Sequence, residues 1–322
     1  MTEAVPTIRF DRAYPAPGVG DFGTPHDAGH RPGPLATISR FGADVRLEHA
    51  RISLGTRHFD VFHTDPQDHI FKIVKNSRSF YEAGFLYAIA KHLKPGDLVV
   101  DAGANIGNHT LFFAGALGCR VTCFEPGPLT VQLLQHNVAA NNLASRVEIW
   151  PFALAETSAQ FASKDAAAVQ QLGLGALTLR PDAGGEMRGI PLDSVPFDQR
   201  IKLLKIDVEG MELELLRGAR ETLLRDRPVI CVECDDLNRF DQLFDYLCGL
   251  GFLAIDSHNY TATHVFVPVD NPSVIEASLS RQMASRYISH ARQIHALEGR
   301  LANVENLLRR IQFVSRPEGS PQ

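Results

Sequence analysis

Four stretches of this sequence hold residues whose types and spacing could do chemistry. The first is Asp101-Ala-Gly103-Ala-Asn105-Ile-Gly107-Asn-His109-Thr, which follows an apolar run and precedes a helical pattern. Gly103 permits a tight turn and close approach of a ligand to the backbone. Gly107 lets helix and strand pack closely. Asn105 stands where a glycine is common, and asparagine tolerates left-handed backbone angles better than other non-glycine residues. N–H groups at the helix start favour a carboxylate or phosphate. The second stretch, Phe124-Glu125-Pro126, comes about 20 residues later, where a carboxylate can accept hydrogen bonds from two ribose hydroxyls. Together they suit a dinucleotide or S-adenosylmethionine. Three well-spaced glycines for a pyrophosphate are absent. Asp101 would repel a diphosphate but not the ammonium or sulfonium of S-adenosylmethionine.

The third stretch is Lys205-Ile-Asp207-Val-Glu209-Gly210, and the fourth is Glu233-Cys-Asp235-Asp236. Asp207 sits at the end of a strand, Glu209 near the start of the next helix, and Glu233 near the end of the adjacent strand. Several carboxylates therefore converge on one edge. One of them could act as a base, its pKa raised by acidic neighbours. Alternatively, Asp207 with Glu233 or Asp235 could hold a divalent cation such as Mg²⁺. The metal-free version is favoured, because no asparagine or histidine completes a ligand set. His258, in Asp256-Ser-His258-Asn-Tyr260, follows a strand and could reach an acceptor as a base. His109 lies in the first turn of a helix, and His264 packs in the last strand. Cys231 and Cys234 have CxxC spacing, but residues three apart on a strand face opposite ways, so they read as core cysteines.

These residues need elements to position them. From residue 98 strands and helices alternate. Strands are expected at 98–101, 120–124, 147–150, 203–206, 229–233, 252–256 and 264–267. Helices are expected at 79–93, 108–116, 129–140, 211–224 and 240–248. Alternation of this kind implies an α/β fold with a mostly parallel, doubly wound sheet. Ligands bind beyond the carboxyl ends of such strands. Residues 153–195 read as a hairpin insertion. Residues 1–34 hold six prolines and five glycines and read as a tail. Residues 35–78 form a small β-containing segment, with alternations such as Phe59-Asp-Val61-Phe. Asn271-Pro272 starts a long helix in the segment 271–316. Ile294, Leu297, Leu301, Val304, Leu308 and Ile311 keep a 3–4 spacing within it, which is a coiled-coil seam. Tyr287 stands one heptad earlier. Arg300 and Glu305 flank the seam and suit a parallel homo-oligomer.

Lys205-Ile-Asp-Val-Glu-Gly-Met-Glu-Leu-Glu-Leu-Leu-Arg-Gly218-Ala, with Asp101-Ala-Gly-Ala-Asn-Ile-Gly107 and Phe124-Glu-Pro126, resembles the FkbM-type S-adenosylmethionine-dependent methyltransferases. Ser79-Phe-Tyr-Glu82 and Val232-Glu-Cys234 are also similar to that family. The resemblance covers roughly residues 68–268, within a methyltransferase domain drawn at 79–270. It implies a Rossmann-like, seven-stranded class I methyltransferase sheet with the last strand antiparallel. It also implies methylation of an oxygen, often a hydroxyl of a sugar or natural product. Carried over by position, Gly103, Asn105 and Gly107 line the methionine part, and Glu125 holds the ribose. Phe152 and Ala153, with Leu154, border the adenine. Asp207, Glu209 and His258 are the catalytic candidates.

Composition sets outer bounds. The 322 residues, 44% hydrophobic with a net charge of −5, form a sizeable core. They do not suggest a broad basic surface for nucleic acid. No run of about 18 apolar residues suggests a membrane span. The N-terminus shows no secretory signal pattern, and five cysteines are too few and too odd for a secreted disulfide framework. A cytoplasmic protein is expected. Two other function classes compete with methyl transfer to a small-molecule or glycan hydroxyl. A nicotinamide-dependent oxidoreductase explains Glu125 but not Asp207-Val-Glu209-Gly210. A non-catalytic assembly protein would use the fold as a scaffold for the coiled coil.

Overall fold

The structure is a computed structural model and describes residues 37–40, 43–164 and 177–314. The expected tail at 1–34 lies outside the described residues. Strands β1 (Thr37–Arg40) and β2 (Ala43–Arg46) pair antiparallel, as do β3 (Glu48–Leu54) and β4 (Arg57–His63). Ala50, Ile52, Phe59 and Val61 alternate onto one buried face, the period of two that a half-buried hairpin requires. An unexpected helix, α1 (His69–Ser77), follows. The Asp68 carboxylate caps it by accepting from the Phe71 N–H at 2.9 Å. The expected helix over 79–93 shortens to α2 (Ala83–Ala90), because Glu82 before it is left-handed, at φ 57°.

The α/β core then runs β5 (Leu98–Ala102), α3 (Asn108–Leu111, continuing as a π-turn over Phe112–Ala116), β6 (Arg120–Phe124), α4 (Pro128–Ala140) and β7 (Val147–Trp150). An excursion forms a second sheet from β8 (Ala153–Leu154), β9 (Ala159–Ser163), β10 (Leu179–Pro181) and β11 (Met187–Ile190), in the order β10-β9-β11-β8. It is thus larger than the hairpin expected there. The core resumes with β12 (Ile201–Ile206), α5 (Glu212–Arg217), α6 (Arg220–Asp226), β13 (Val229–Glu233), α7 (Leu237–Gly249), β14 (Phe252–His258) and β15 (Thr263–Pro268). The single helix expected at 211–224 is broken after Arg217. Gly218 there lies so close to the Ala155 carbonyl that a Cβ would overlap it.

The main sheet has seven strands in the order β14-β15-β13-β12-β5-β6-β7. Only β15 runs antiparallel to its neighbours, which is the seven-stranded arrangement the motifs implied. The central strands are apolar on both faces because both faces are covered. Val99, Val121, Leu203 and Cys231 pack toward α2, α3, α4 and the β3/β4 hairpin. Val100, Phe124, Leu204 and Ile230 pack toward α5, α6 and α7. Two asparagines, Asn137 in α4 and Asn141 just after it, fasten the hairpin. Asn137 Oδ1 accepts from Phe62 N–H at 2.7 Å and Asn141 Oδ1 from Asp60 N–H at 2.8 Å. Asn137 Nδ2 also donates to the Ile106 carbonyl in the glycine-rich loop, at 2.8 Å.

The long C-terminal helix, α8 (Val274–Val314), is present. Ser273, rather than Asn271, caps it. Ser273 Oγ accepts from Glu276 N–H at 3.2 Å, and the Glu276 carboxylate accepts from Ser273 N–H at 2.8 Å, a reciprocal capping box. The first half of α8 packs on its own domain. Ser280, Ala284 and Ile288 are buried. Ser280 Oγ donates to the Ala254 carbonyl on edge strand β14 at 2.8 Å, Tyr287 donates to Asn259 O at 3.0 Å, and Arg281 pairs with Asp241 and Asp245 of α7. Tyr287 therefore faces the parent domain instead of continuing the seam. Burial of Ile288 gives a direct check. Ile288→Ala should lower unfolding free energy in urea by about 2–4 kcal/mol, while Gln282→Ala on the exposed side should change it by less than about 0.5 kcal/mol.

Candidate functional site

The carboxyl ends of β5, β6, β7, β12 and β13 open into one cavity of about 260 Å³. Of the residues expected to bind a ligand, Gly103, Asn105, Glu125, Pro126, Phe152 and Ala153 line it. Asp207 and Glu209 line it too. Asp101, Gly107 and His258 are not among the lining residues.

One half of the cavity is organised by Glu125. Its carboxylate accepts from the Asn105 N–H at 3.0 Å and the Gly127 N–H at 2.9 Å. Burial pushes its pKa up to about 7, although these N–H bonds and the Thr130 hydroxyl pull the other way. Asn105 is left-handed, at φ 49°, and its buried Oδ1 has no hydrogen-bond partner among the described residues. Gly103 makes the expected tight turn, at φ 77°, and a Cβ there would overlap the Asp207 carbonyl, so the missing side chain also makes room for the neighbouring strand end. A Cβ on Gly107 would meet Leu134 of α4 at 2.7 Å, so this glycine relieves packing against a helix rather than a strand. Phe152, Leu154, Leu177 and Leu179 give the same half an apolar wall. A carboxylate suited to a diol, an orphaned amide oxygen and an apolar wall fit the ribose and flat base of a nucleoside.

The other half is acidic. Asp207, Glu209 and Glu233 line it, with Tyr81 opposite. Glu209 is exposed as a whole residue, yet desolvation of its carboxyl, then the charges of Asp207 and Glu212, push it up to about 7. Burial and Asp207 hold Glu233 well above the usual carboxylate range. Glu209 adopts φ 51°, a costly conformation for a non-glycine residue. Behind these groups lies buried Lys205, with Nζ 3.1 Å from Asp207 and 3.8 Å from Asp101. Asp101 is fully buried and accepts from Thr110 Oγ1 at 2.7 Å. Its charge is thus met from within the protein. His258 pairs with Asp256 at 3.2 Å, and His109 with Glu82 at 3.2 Å. His264 is buried between Ser257 Oγ and the Cys234 carbonyl, and burial lowers its pKa to about 4. Among the described residues no group of three or more His, Cys, Asp or Glu is arranged to hold a metal ion.

His69, Ile70 and Thr261, along with Tyr81, also line the cavity, and the sequence did not single them out as site residues. His69 and Ile70 open α1, which the Asp68 cap would have signalled. Tyr81 is held by the start of α3, since Asn108 accepts from Tyr81 N–H at 2.9 Å and donates to Tyr81 O at 3.1 Å. Nothing in local spacing announces such a long-range clamp.

Residues 101–254 match the family model described as the methyltransferase FkbM domain. The chain is 30% identical over 198 residues to the 31-O-demethyl-FK506 methyltransferase FkbM of Streptomyces tacrolimicus, an alignment covering 51% of this chain and 75% of that protein. It is 27% identical over 146 residues to Methyltransferase 1 of Beauveria bassiana, covering 37% of this chain and 57% of that protein. A crystal structure of methyltransferase FkbM from Methylobacillus flagellatus is similar, with a TM-score of 0.42 and 21% identity, over 54% of this chain and 44% of that one. The chain thus spans little more than half of the fungal relative and less than half of the Methylobacillus chain.

The left-handed turn at Asn105 should be sensitive to what replaces it. Asn105→Gly should leave thermal stability nearly unchanged, whereas Asn105→Ala should cost about 1 kcal/mol or more, read as a lowered melting temperature.

Proposed function

The chain belongs to the FkbM family of methyltransferases, and on that premise we propose that it methylates a hydroxyl of a sugar, glycan or sugar-containing metabolite. Family membership supports methyl transfer over nicotinamide hydride transfer or inert scaffolding. The observation that carries the proposal is the meeting of two unlike halves at the sheet's carboxyl edge, one suited to a nucleoside and one rich in carboxyl groups. S-adenosylmethionine, the donor the family implies, supplies when bound a methyl carbon activated by a sulfonium. Glu125 would accept from its ribose hydroxyls, Phe152, Ala153 and Leu154 would border the adenine, and Gly103 and Asn105 would lie along the methionine part. A hydroxyl is a poor nucleophile and needs a base. Glu209, with a pKa near 7, is suited to take the proton at neutral pH, and Asp207 orients the hydroxyl beside it. Five carboxyl groups line the cavity among the described residues and no lysine or arginine does. This favours a neutral acceptor over one bearing a phosphate beside the reacting oxygen, and so a metabolite over a nucleic acid.

The same proposal assigns the outer segments. Residues 79–270 act as the catalytic unit, 35–78 as a β-containing addition to it, and 271–316 as an oligomerisation segment built on α8. In α8, Ile275, Leu279, Met283 and Ile294 are exposed. By helical register they share a sector of about 100°, turned away from buried Ala284 and Ile288. The seam positions Leu297, Leu301, Val304, Leu308 and Ile311 fall in that sector by register; their side chains lie outside the described residues. One face of the helix thus serves its own domain and another is free for a second copy. Five free thiols support a reducing compartment such as the cytoplasm. Among the described residues no helix is long and apolar enough to cross a membrane.

Calorimetry should detect S-adenosylmethionine binding, weakened roughly 10–100-fold by Glu125→Ala and kept by Asp207→Asn. No binding by the wild type at millimolar donor would sink the assignment. With an acceptor found by screening hydroxylated metabolites, Asp207→Asn should abolish turnover. The rate should rise with pH through about 7, because Glu209 accepts a proton only when ionised. Glu209→Gln should remove that limb of the profile. For the oligomer, light scattering on a chain ending at His295 should give a smaller mass than the full chain, with an equal mass excluding the seam as the interface.

A further inference from the structure

Asp207, Glu209 and Glu233 crowd the reactive end of the cavity, and a single buried lysine stands behind them. Lys205 lies on β12, in register with Asp101 of β5 on one side and Cys231 of β13 on the other. Lys205 and Asp207 are two residues apart on extended chain and so point to the same side. The ammonium touches Asp207 Oδ2 at 3.1 Å and lies 3.8 Å from Asp101 Oδ1. It is buried and is not among the residues lining the cavity. Neither Glu209 nor Glu233 has an ion pair or side-chain hydrogen bond among the described residues. The cation is therefore committed to one carboxylate of the three.

Resting on the methyltransferase reading of this cavity, we propose that Lys205 is a positioning residue. It grips Asp207 from behind, fixes that carboxylate as an anion in the cavity wall, and leaves the shared proton on Glu233. An acceptor hydroxyl then meets one hydrogen-bond acceptor, Asp207, and one donor, the Glu233 carboxyl.

Two carboxylates crowded into one half-buried site resist ionising together, and a nearby cation decides which one does. Glu233 faces Asp207, Lys205, Glu82 and Glu209, and burial together with the Asp207 charge favours its protonated form. Tyr81 faces Glu82, Glu233 and Asp207, and burial and these charges keep its hydroxyl protonated as well. Burial works against the charge on Lys205, but Asp207 and Asp101 more than offset that and raise its pKa. The one carboxylate of the acidic half that the Lys205 ammonium touches is Asp207, while Glu209, pushed up to about 7, stays free to take a proton.

Infrared difference spectroscopy of the full chain at neutral pH tests this without an acceptor. Glu125 and Glu209, both pushed up to about 7, contribute protonated-carboxyl bands to every spectrum, so the wild type minus Glu233→Gln difference isolates the band of Glu233, which should be present. Lys205→Arg should keep it. In Lys205→Met/Glu233→Gln an additional protonated-carboxyl band should arise from Asp207, isolated as the difference between that protein and the same protein carrying Asp207→Asn. A merely structural lysine would leave these bands unmoved. A wild-type spectrum without a Glu233 band, or a Lys205→Met/Glu233→Gln spectrum without an Asp207 band, overturns the proposal. If the Met variant does not fold, Asp207→Asn alone decides, because removing the like charge should shift titration of the Glu233 band to lower pH. An unshifted titration overturns it. Calorimetry with S-adenosylmethionine on the same samples separates the two levels. The expected bands in a protein that binds no donor would refute the methyltransferase reading and still support the proton placement.

Discussion

Two backbone N–H groups, from Asn105 and Gly127, end on the two oxygens of one buried carboxylate, Glu125. The loop after β5 and the loop after β6 are tied through that single side chain. A buried carboxylate is costly unless hydrogen bonds meet it, so neither loop can move without exposing the cost. The tie also explains the asparagine in a glycine-rich turn. Asn105 must be left-handed to present its N–H, and asparagine bears that conformation while adding a side-chain amide to the cavity. The geometry of the nucleoside half follows from this interaction, since Gly103 and Ala104 are stapled to the Phe124 carbonyl beside it.

The reactive half obeys a different constraint, like-charge repulsion among carboxyl groups at a half-buried edge. Its carboxyl groups come from two adjacent strand ends and the loop between strand and helix. Their closeness is forced by the 4.7–4.9 Å spacing of paired strands. A parallel sheet places such groups together whether or not their charges agree, and Lys205 is the chain's answer on the central strand. Buried pairs of this kind contribute little net stability. Their value here is that they fix where the charge sits.

Parts of this architecture were legible in the sequence for identifiable reasons. The β5, β6, β7 and β13 runs are short, apolar and bounded by turn residues, and they fold where the pattern puts them. Asp207 and Glu125 are at strand ends, so topology alone delivers them to one edge. Other features were hidden. Helix α1 is hidden because its apolar residues, Ile70, Phe71, Ile73 and Val74, make less than two turns of pattern, and the N-cap at Asp68 is the stronger signal. The 211–224 helix is broken by contact with the Ala155 carbonyl, which lies far away in sequence. Tyr287 fits a heptad position equally well whether its partner is another chain or Asn259 of its own.

What the sequence by itself determined is the order of strands and helices, the left-handed turn at Asn105 and the identity of the carboxylates. These depend on local preference and on periodicity, which act over a few residues. What only the tertiary structure decided is which of those groups share a cavity and which are used up elsewhere. Asp101 was drawn inward to Lys205 and Thr110, and His258 was held at Asp256. Tyr81 was brought in by Asn108, and Gly103 was needed for the Asp207 carbonyl. Each outcome depends on distances between segments remote in the chain, and residue spacing carries no information about those.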